Sequence, residues 1–358
     1  MVTLCTMKHE SIDTPLSRAP LPVWQRAFAS LETLQEAAPW KILQNYHFIG
    51  FEADGEMLWL QVLGSGGESR GFNLHRGTRG LAALLRILAG GSESDAEAQV
   101  LMRGLDCLSL SLEPKKQLDG VDSALLDAAG LLRTNRKYFP QIRDCQPGWY
   151  PWFPDAGQLE QASRVMAVLT TCLPMIAGQP ELLEPADDDL AGVIFRGAAG
   201  EWLAELRPMP DFDSLDQVQP AAPRIKSKTL AMVQDLVARL PKLGSSLELG
   251  CIVLANASDP LDGGRPFFPH VLACVEAKAH ALLSHKVVSP AELTVEAWLD
   301  CLLEGIAALG QIPGRIDTDD LMAAAAVQSI ADLLACEHRP EQSLKALETV
   351  ERAMDRLL

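Results

Sequence analysis

Apolar positions recur along this chain at two periods, and the changes from one to the other mark out its elements. From Leu21 onward, Val23, Phe28, Leu31 and Leu34 fall at helical spacing. Pro39 ends that helix, because the residue before a proline is pushed out of the α region. The period then drops to two. "YHFIGFEADGEMLWLQVLGSGGESRGFNLHRG" reads as three antiparallel strands, with Asp54-Gly55 as the first hairpin turn and Gly64 to Gly71 as the second. Thr78 then caps a helix expected to stop at Gly90 and Gly91. A polar loop, "SESDAEAQ", leads to a fourth strand, "LDCLSLSLEP", and a short helix, "LDGVDSALLDAAGLL". After Asp155, which can cap it, a long helix places Leu159, Ala162, Val165, Met166 and Leu169 on one face. Two strands follow, "LAGVIFRG" and "EWLAELRP".

Residues 207–224 are rich in proline and show neither period, which predicts a domain boundary. Beyond it come a helix, the strand "SSLELGCIVLANA", two strands around "FPHVLACVEA" and "HALLSHKVV", and a helix over 291–309. A short "GRID" segment, a helix over 320–335 and an amphipathic helix over 340–357 complete the chain. Strands and helices come in runs rather than strict alternation. The fold class expected is therefore α+β, with antiparallel sheets and packed helices in two or three domains. The segments read as a polar leader (1–20), an N-terminal module (21–135), and an aromatic joint with a long helix and hairpin (136–206). The proline-rich linker (207–224) and a C-terminal module (225–358) follow.

Composition narrows the function classes. The 358 residues are 48% hydrophobic and 22% charged, which suits a folded chain. A formal charge of -16 argues against nucleic acid as partner, since phosphate binding needs a basic face. The basic runs Arg133–Lys137 and Arg224–Lys228 are short and read as solvated surface. No apolar run approaches a membrane span. The eight cysteines are scattered without a C-x-x-C, so neither a structural zinc site nor a disulfide framework is indicated, and a cytoplasmic location is expected.

Catalytic motifs are sparse. "GSGGESRG" lies between two strands and is not followed by G-K-[ST], so it reads as a turn and not a phosphate loop; no cofactor is expected. No G-x-S-x-G elbow is present, and His270, His280 and His285 read as structural or surface residues. The C-terminal order of strands and helices resembles a ribonuclease H-like domain, a family with metal-binding carboxylates on its first strand and at the end of a later one. That resemblance implies a metal-dependent hydrolase or nuclease using Glu276, Asp317, Asp319 and Asp320. Against it, Glu276 stands where that family prefers Asp, a final carboxylate is missing, and "DTDD" before an apolar run is equally an N-terminal cap.

The densest feature is "YFPQIRDCQPGWYPWFPD", residues 138–155. Tyr138-Phe139-Pro140, Trp152-Phe153-Pro154 and Phe267-Phe268-Pro269 each lock an aromatic pair with a proline. These corners either plug a core or line a cleft; for the cleft, the residues are Arg143, Trp149, Tyr150 and Trp152. Cys145 is not expected to be a nucleophile. "RKYFPQIRDCQPGWYPWFPDAGQLEQ", "APWKIL", "LWLQVLGSGGESRGFNLHRGTRGL" and "GGRPFFPHVLACVEAKAHALL" together resemble a family of uncharacterised bacterial proteins with two modules. That resemblance implies architecture and a bacterial origin, and no reaction. The reading is a non-catalytic binding or interaction module with an aromatic-lined surface, for an unknown protein or small-molecule partner. Leu344, Leu347, Val350, Met354 and Leu357 form a stripe on the last helix that offers a route to a homo-oligomer.

Overall fold

The structure, a computed structural model, describes residues 14–53, 55–67, 70–89, 103–212, 225–258, 264–341 and 343–355. It is α+β, and the chain divides into two compact units, Met1–Phe212 with Asp259–Pro266, and Asp213–Ser258 with Phe267–Leu358.

The first unit is built on a seven-stranded sheet. In chain order its elements are α1 (Leu21–Ala37), β1 (Phe48–Ala53), β2 (Glu56–Leu63), β3 (Gly71–Arg76), α2 (Gly77–Ala89), β4 (Cys107–Pro114), α3 (Gly120–Ala128), β5 (Tyr138–Cys145), α4 (Ala156–Gly178), β6 (Leu190–Arg196) and β7 (Trp202–Pro208). The expected meander is present: β1 pairs β2 with Ala53 opposite Glu56, and Gly55 takes φ 80° in the turn between them. Asp54 and the "SESDAEAQ" loop lie outside the described residues. The long helix occupies the span its periodicity gave, and Asp155 and Gln158 close a reciprocal capping box at its start.

The sheet order is β5-β4-β3-β2-β1-β6-β7, and β1 runs parallel to β6. The sheet is therefore mixed, not purely antiparallel as expected. The parallel pair arises because β6 returns beside β1 after the long α4 crossover, so one sheet takes in strands from both the 21–135 and 136–206 segments. One face buries Phe28, Leu31 and Leu34 of α1 against Leu159, Val165 and Leu169 of α4. The other face buries Trp59 and Val193 beneath Leu81 and Leu84 of α2. Gly80 permits that approach, since a Cβ there would meet the Asp106 carbonyl oxygen at 2.8 Å and the His75 backbone at 3.0 Å.

The dense stretch opens as β5, an edge strand and not a corner. Asp144 turns its N–H and C=O away from β4, bonding Trp152 at 2.7 and 3.0 Å. Pro140 has the same parity, so its missing N–H falls on the open side of the strand, where proline is tolerated.

The second unit contains α5 (Ser227–Arg239), β8 (Ser246–Val253), β9 (His270–Glu276), β10 (Ala281–Val288), α6 (Val295–Leu309), β11 (Arg315–Thr318), α7 (Leu321–Leu334), β12 (Glu337–Pro340) and α8 (Lys345–Asp355). Its order is β10-β9-β8-β11-β12, with β11 parallel to both β8 and β12. Strands β8, β9 and β10 form an antiparallel meander. β12 has no sequence signature, because three polar residues and a proline at a sheet edge carry no apolar alternation. Helices α5, α6 and α7 share one core with Leu247, Leu249 and Ile316. On the opposite face Leu344, just before α8, and Leu347 of α8 pack against Ile252, Val271 and Val275, with Val350 and Met354 beside them. The stripe read as a route to a homo-oligomer thus packs on the sheet of its own unit; Leu357 lies outside the described residues.

Candidate functional site

The four residues expected to line a cleft have separate employments. Arg143, only 15% exposed, bonds Asp122 of α3 at 2.7 Å and lies 4.6 Å over the Phe153 ring. Trp152 is held to Asp144 through its backbone, and its ring meets Phe153 at 5.2 Å. Trp149 is half-buried, with the Arg265 guanidinium 5.7 Å from its ring centre. Tyr150 is exposed, and its backbone N–H and C=O bond the Pro266 carbonyl and Arg265 Nε, each at 3.0 Å.

These contacts converge on Asp144, which is fully buried at the end of β5. Its carboxylate accepts from Arg76 at 2.5 Å, Arg265 at 2.9 Å and Gln146 at 2.8 Å, while Arg76 also bonds Asp106 at 2.8 Å. A buried carboxylate must be paired, and here two guanidinium groups share it. Neither partner was visible in sequence, since Arg265 lies 121 positions from Asp144.

On the opposite face of the same strand ends, register places His75, Cys107 and Cys145 in a row across β3, β4 and β5. The Cys107 thiol donates a hydrogen bond to the Cys145 sulfur, which pushes Cys107 up and Cys145 down; at Cys145 burial and Asp144 oppose that fall, and Arg265 and Arg76 support it. His75 is buried with no partner for either ring nitrogen, and burial lowers it to about 4. It is neutral at physiological pH.

An open pocket of about 650 Å³ lies elsewhere on the first unit. The C-terminal turns of α1 supply Glu32, Gln35 and Glu36, and the turn after it supplies Trp40 and Lys41. Arg70 precedes β3, and Arg136, Lys137 and Tyr138 lead into β5. Glu32 is paired with Arg136. Arg70 stacks on Trp40 at 4.5 Å and Lys137 sits 5.3 Å from the Tyr138 ring, so both are presented by aromatic faces. Four cationic side chains against two carboxylates leave a surplus of two positive charges. Arg136 and Lys137, from the "RTNRK" run read in sequence as solvated surface, contribute to this wall.

In the second unit the expected carboxylates do not converge. Leu247 stands opposite Glu276 while Glu248 stands opposite Asp317, so Glu276 and Asp317 project from opposite faces of the sheet. Glu276 accepts the Ala279 N–H in a turn, Asp320 caps α7, and Arg315 holds Asp317 at 2.9 and 3.1 Å. Sequence reasoning overlooked Glu248, which shares the Asp317 face and accepts the Leu347 N–H at 2.9 Å. Burial pushes Glu248 and Asp317 upward, and partial burial beside Asp320 and Glu248 pushes Asp319 to about 6. Among the described residues no three His, Cys, Asp or Glu side chains are grouped so as to hold a metal ion. The residues present therefore do not fit the two-metal site that the ribonuclease H-like resemblance implies.

Comparison with known families meets the chain at both units. Residues 24–195 match the family model described as Domain of unknown function (DUF7309), and residues 234–355 match Domain of unknown function (DUF6930). The chain joins two domains of unknown function. No curated protein and no solved structure matches it. Among the described residues no helix is long and apolar enough to cross a membrane.

Proposed function

We propose that the first unit is a binding module, and that the pocket walled by Trp40 and Tyr138 takes a small anionic ligand. The carrying observation is a local surplus of two positive charges in a chain whose formal charge is -16. Lys41, Arg70 and Lys137 hold no carboxylate among the described residues, so their charge is directed at solvent and whatever enters from it. The volume lies within the roughly 300–1,000 Å³ of small-molecule sites. An acidic protein repels anions over most of its surface, and a basic recess with aromatic walls is where one can be desolvated at least cost. No group in the recess pairs a nucleophile with a base, which supports binding and not turnover. A cytoplasmic setting in a bacterial cell belongs to the same proposal.

The test is a thermal-shift screen of the full chain against inorganic phosphate, pyrophosphate, dicarboxylates and an aromatic sulfonate. At a free concentration of about one hundred Kd, a ligand of the folded state adds about 2.7 kcal/mol of stability. The proposal expects at least one anion to raise Tm in the wild type and not in Lys41→Glu/Lys137→Glu. No rise with any anion, or an equal rise in the charge-reversed variant, overturns it.

A further inference from the structure

We propose that Cys107 and Cys145 form a reversible cross-strand disulfide, with Cys145 as the thiol that meets a hydroperoxide and Cys107 as the thiol that resolves it. The two residues are directly opposed in the antiparallel β4–β5 pair. The neighbouring Asp144 turns its backbone away from β4, so Cys107 and Cys145 form a hydrogen-bonded pair, whose Cα atoms stand about 5.5 Å apart, within the roughly 4.4–6.8 Å that a disulfide spans. Because they stand directly opposite in register, both side chains project from the same face of the sheet.

The two thiols are not equivalent. Cys107 is sealed at 0% exposure, while Cys145 lies half-buried on the edge strand. The charged and titratable groups around them are Arg76, Arg265, Asp144, Asp106 and, across β3, His75. Arg76 and Arg265 are fixed beside the strand end by their bonds to Asp144, so two cations stay near the Cys145 sulfur, offsetting the opposing effects of burial and of Asp144 itself. Other described cysteines have the opposite setting. Burial pushes Cys172, Cys301 and Cys336 upward, Cys251 to about 12 and Cys274 higher still. Cys145 alone among the described cysteines is favoured as the thiolate.

The chemistry balances with one equivalent of hydrogen peroxide. The Cys145 thiolate attacks one peroxide oxygen, the O–O bond breaks, and hydroxide leaves with a proton from solvent as water, giving a sulfenic acid. The Cys107 sulfur then attacks the Cys145 sulfur and the S–O bond breaks. The departing hydroxide takes the Cys107 proton as a second water. Two thiols lose two electrons in all, and peroxide gains them.

The experiment treats the folded full chain with limiting hydrogen peroxide, blocks remaining thiols with N-ethylmaleimide and maps tryptic peptides by mass spectrometry without reduction. The expected product is a Cys107–Cys145 cross-linked peptide that dithiothreitol abolishes, while Cys274 and Cys301 remain as free thiols until the protein is denatured. In Cys107→Ser given an excess of peroxide, so that a second equivalent can oxidise the unresolved sulfenic acid, Cys145 should accumulate as sulfinic acid in higher yield than in wild type treated alike; in Cys145→Ser, Cys107 should stay reduced. Recovery of both residues as free thiols, or the same yield of Cys145 sulfinic acid with and without Cys107, overturns the proposal. The wild-type map decides by itself if either variant fails to fold.

Discussion

His75 should make the first unit sensitive to acid. Its ring is 1% exposed and neither nitrogen has a partner, and burial holds its folded pKa near 4 against 6.5 for a free imidazole. Between those values the unfolded chain carries a proton that the folded chain refuses. Stability is therefore complete above about pH 6.5 and falls as the pH drops toward 4. One proton bound only by the unfolded chain costs about 1.36 kcal/mol for each pH unit crossed, so the loss between about pH 7 and about pH 4.5 comes to roughly 2 kcal/mol. The perturbation is His75→Leu, which removes the titration while keeping an apolar group of similar size. Any repacking cost in that variant is independent of pH and cancels when its two stabilities are subtracted. Urea unfolding followed by tryptophan fluorescence is the suitable assay, because Trp24, Trp40, Trp59, Trp149, Trp152 and Trp202 belong to the first unit and Trp298 alone to the second. Wild type should lose roughly 2 kcal/mol more than His75→Leu on acidification. Equal losses would refute the reasoning.

Two further substitutions test other parts of the fold. Asp144→Ala leaves Arg76 and Arg265 without their shared buried carboxylate and should cost about 3–5 kcal/mol in urea unfolding; a loss below about 1 kcal/mol would show the cluster to be dispensable. Gly250→Ala places a methyl group against Leu347 and within 2.9 Å of Leu344 and Asp319, so α8 must shift and Tm should fall by an amount equivalent to about 1–3 kcal/mol, whereas an unchanged Tm would mean that α8 accommodates the methyl freely.

Local structure was legible where a single segment decides it. The span of α4 follows from Asp155, Gln158 and one apolar stripe, and the β1–β2 hairpin from its glycine turn, because those signals act over a few residues. What depends on distant partners was not. Alternation cannot say that β6 will lie parallel to β1, and Pro140 obscured β5 because a proline forbids a strand only where its N–H is needed. Cys107 and Cys145 share no motif and become neighbours through sheet register alone. The surroundings of the aromatic stretch were hidden for a related reason: Arg143 looked available in sequence, but Asp122, a helix away, engages it. The basic pocket drew two of its four cations from a run too short to stand out by charge.

The outer side of β5 also bears on how the chain behaves at high concentration. A strand at the rim of a sheet offers unpaired donors and acceptors to any other extended chain, which is how sheets grow into aggregates. Here Pro140 has no donor to offer, and a few residues further on the chain folds back so that Trp152 takes both backbone groups of Asp144. The same crowded aromatic and proline residues that suggested a binding surface therefore act as a guard against unwanted self-templating. A change at Pro140 that left stability untouched could still shorten the time the protein survives in solution.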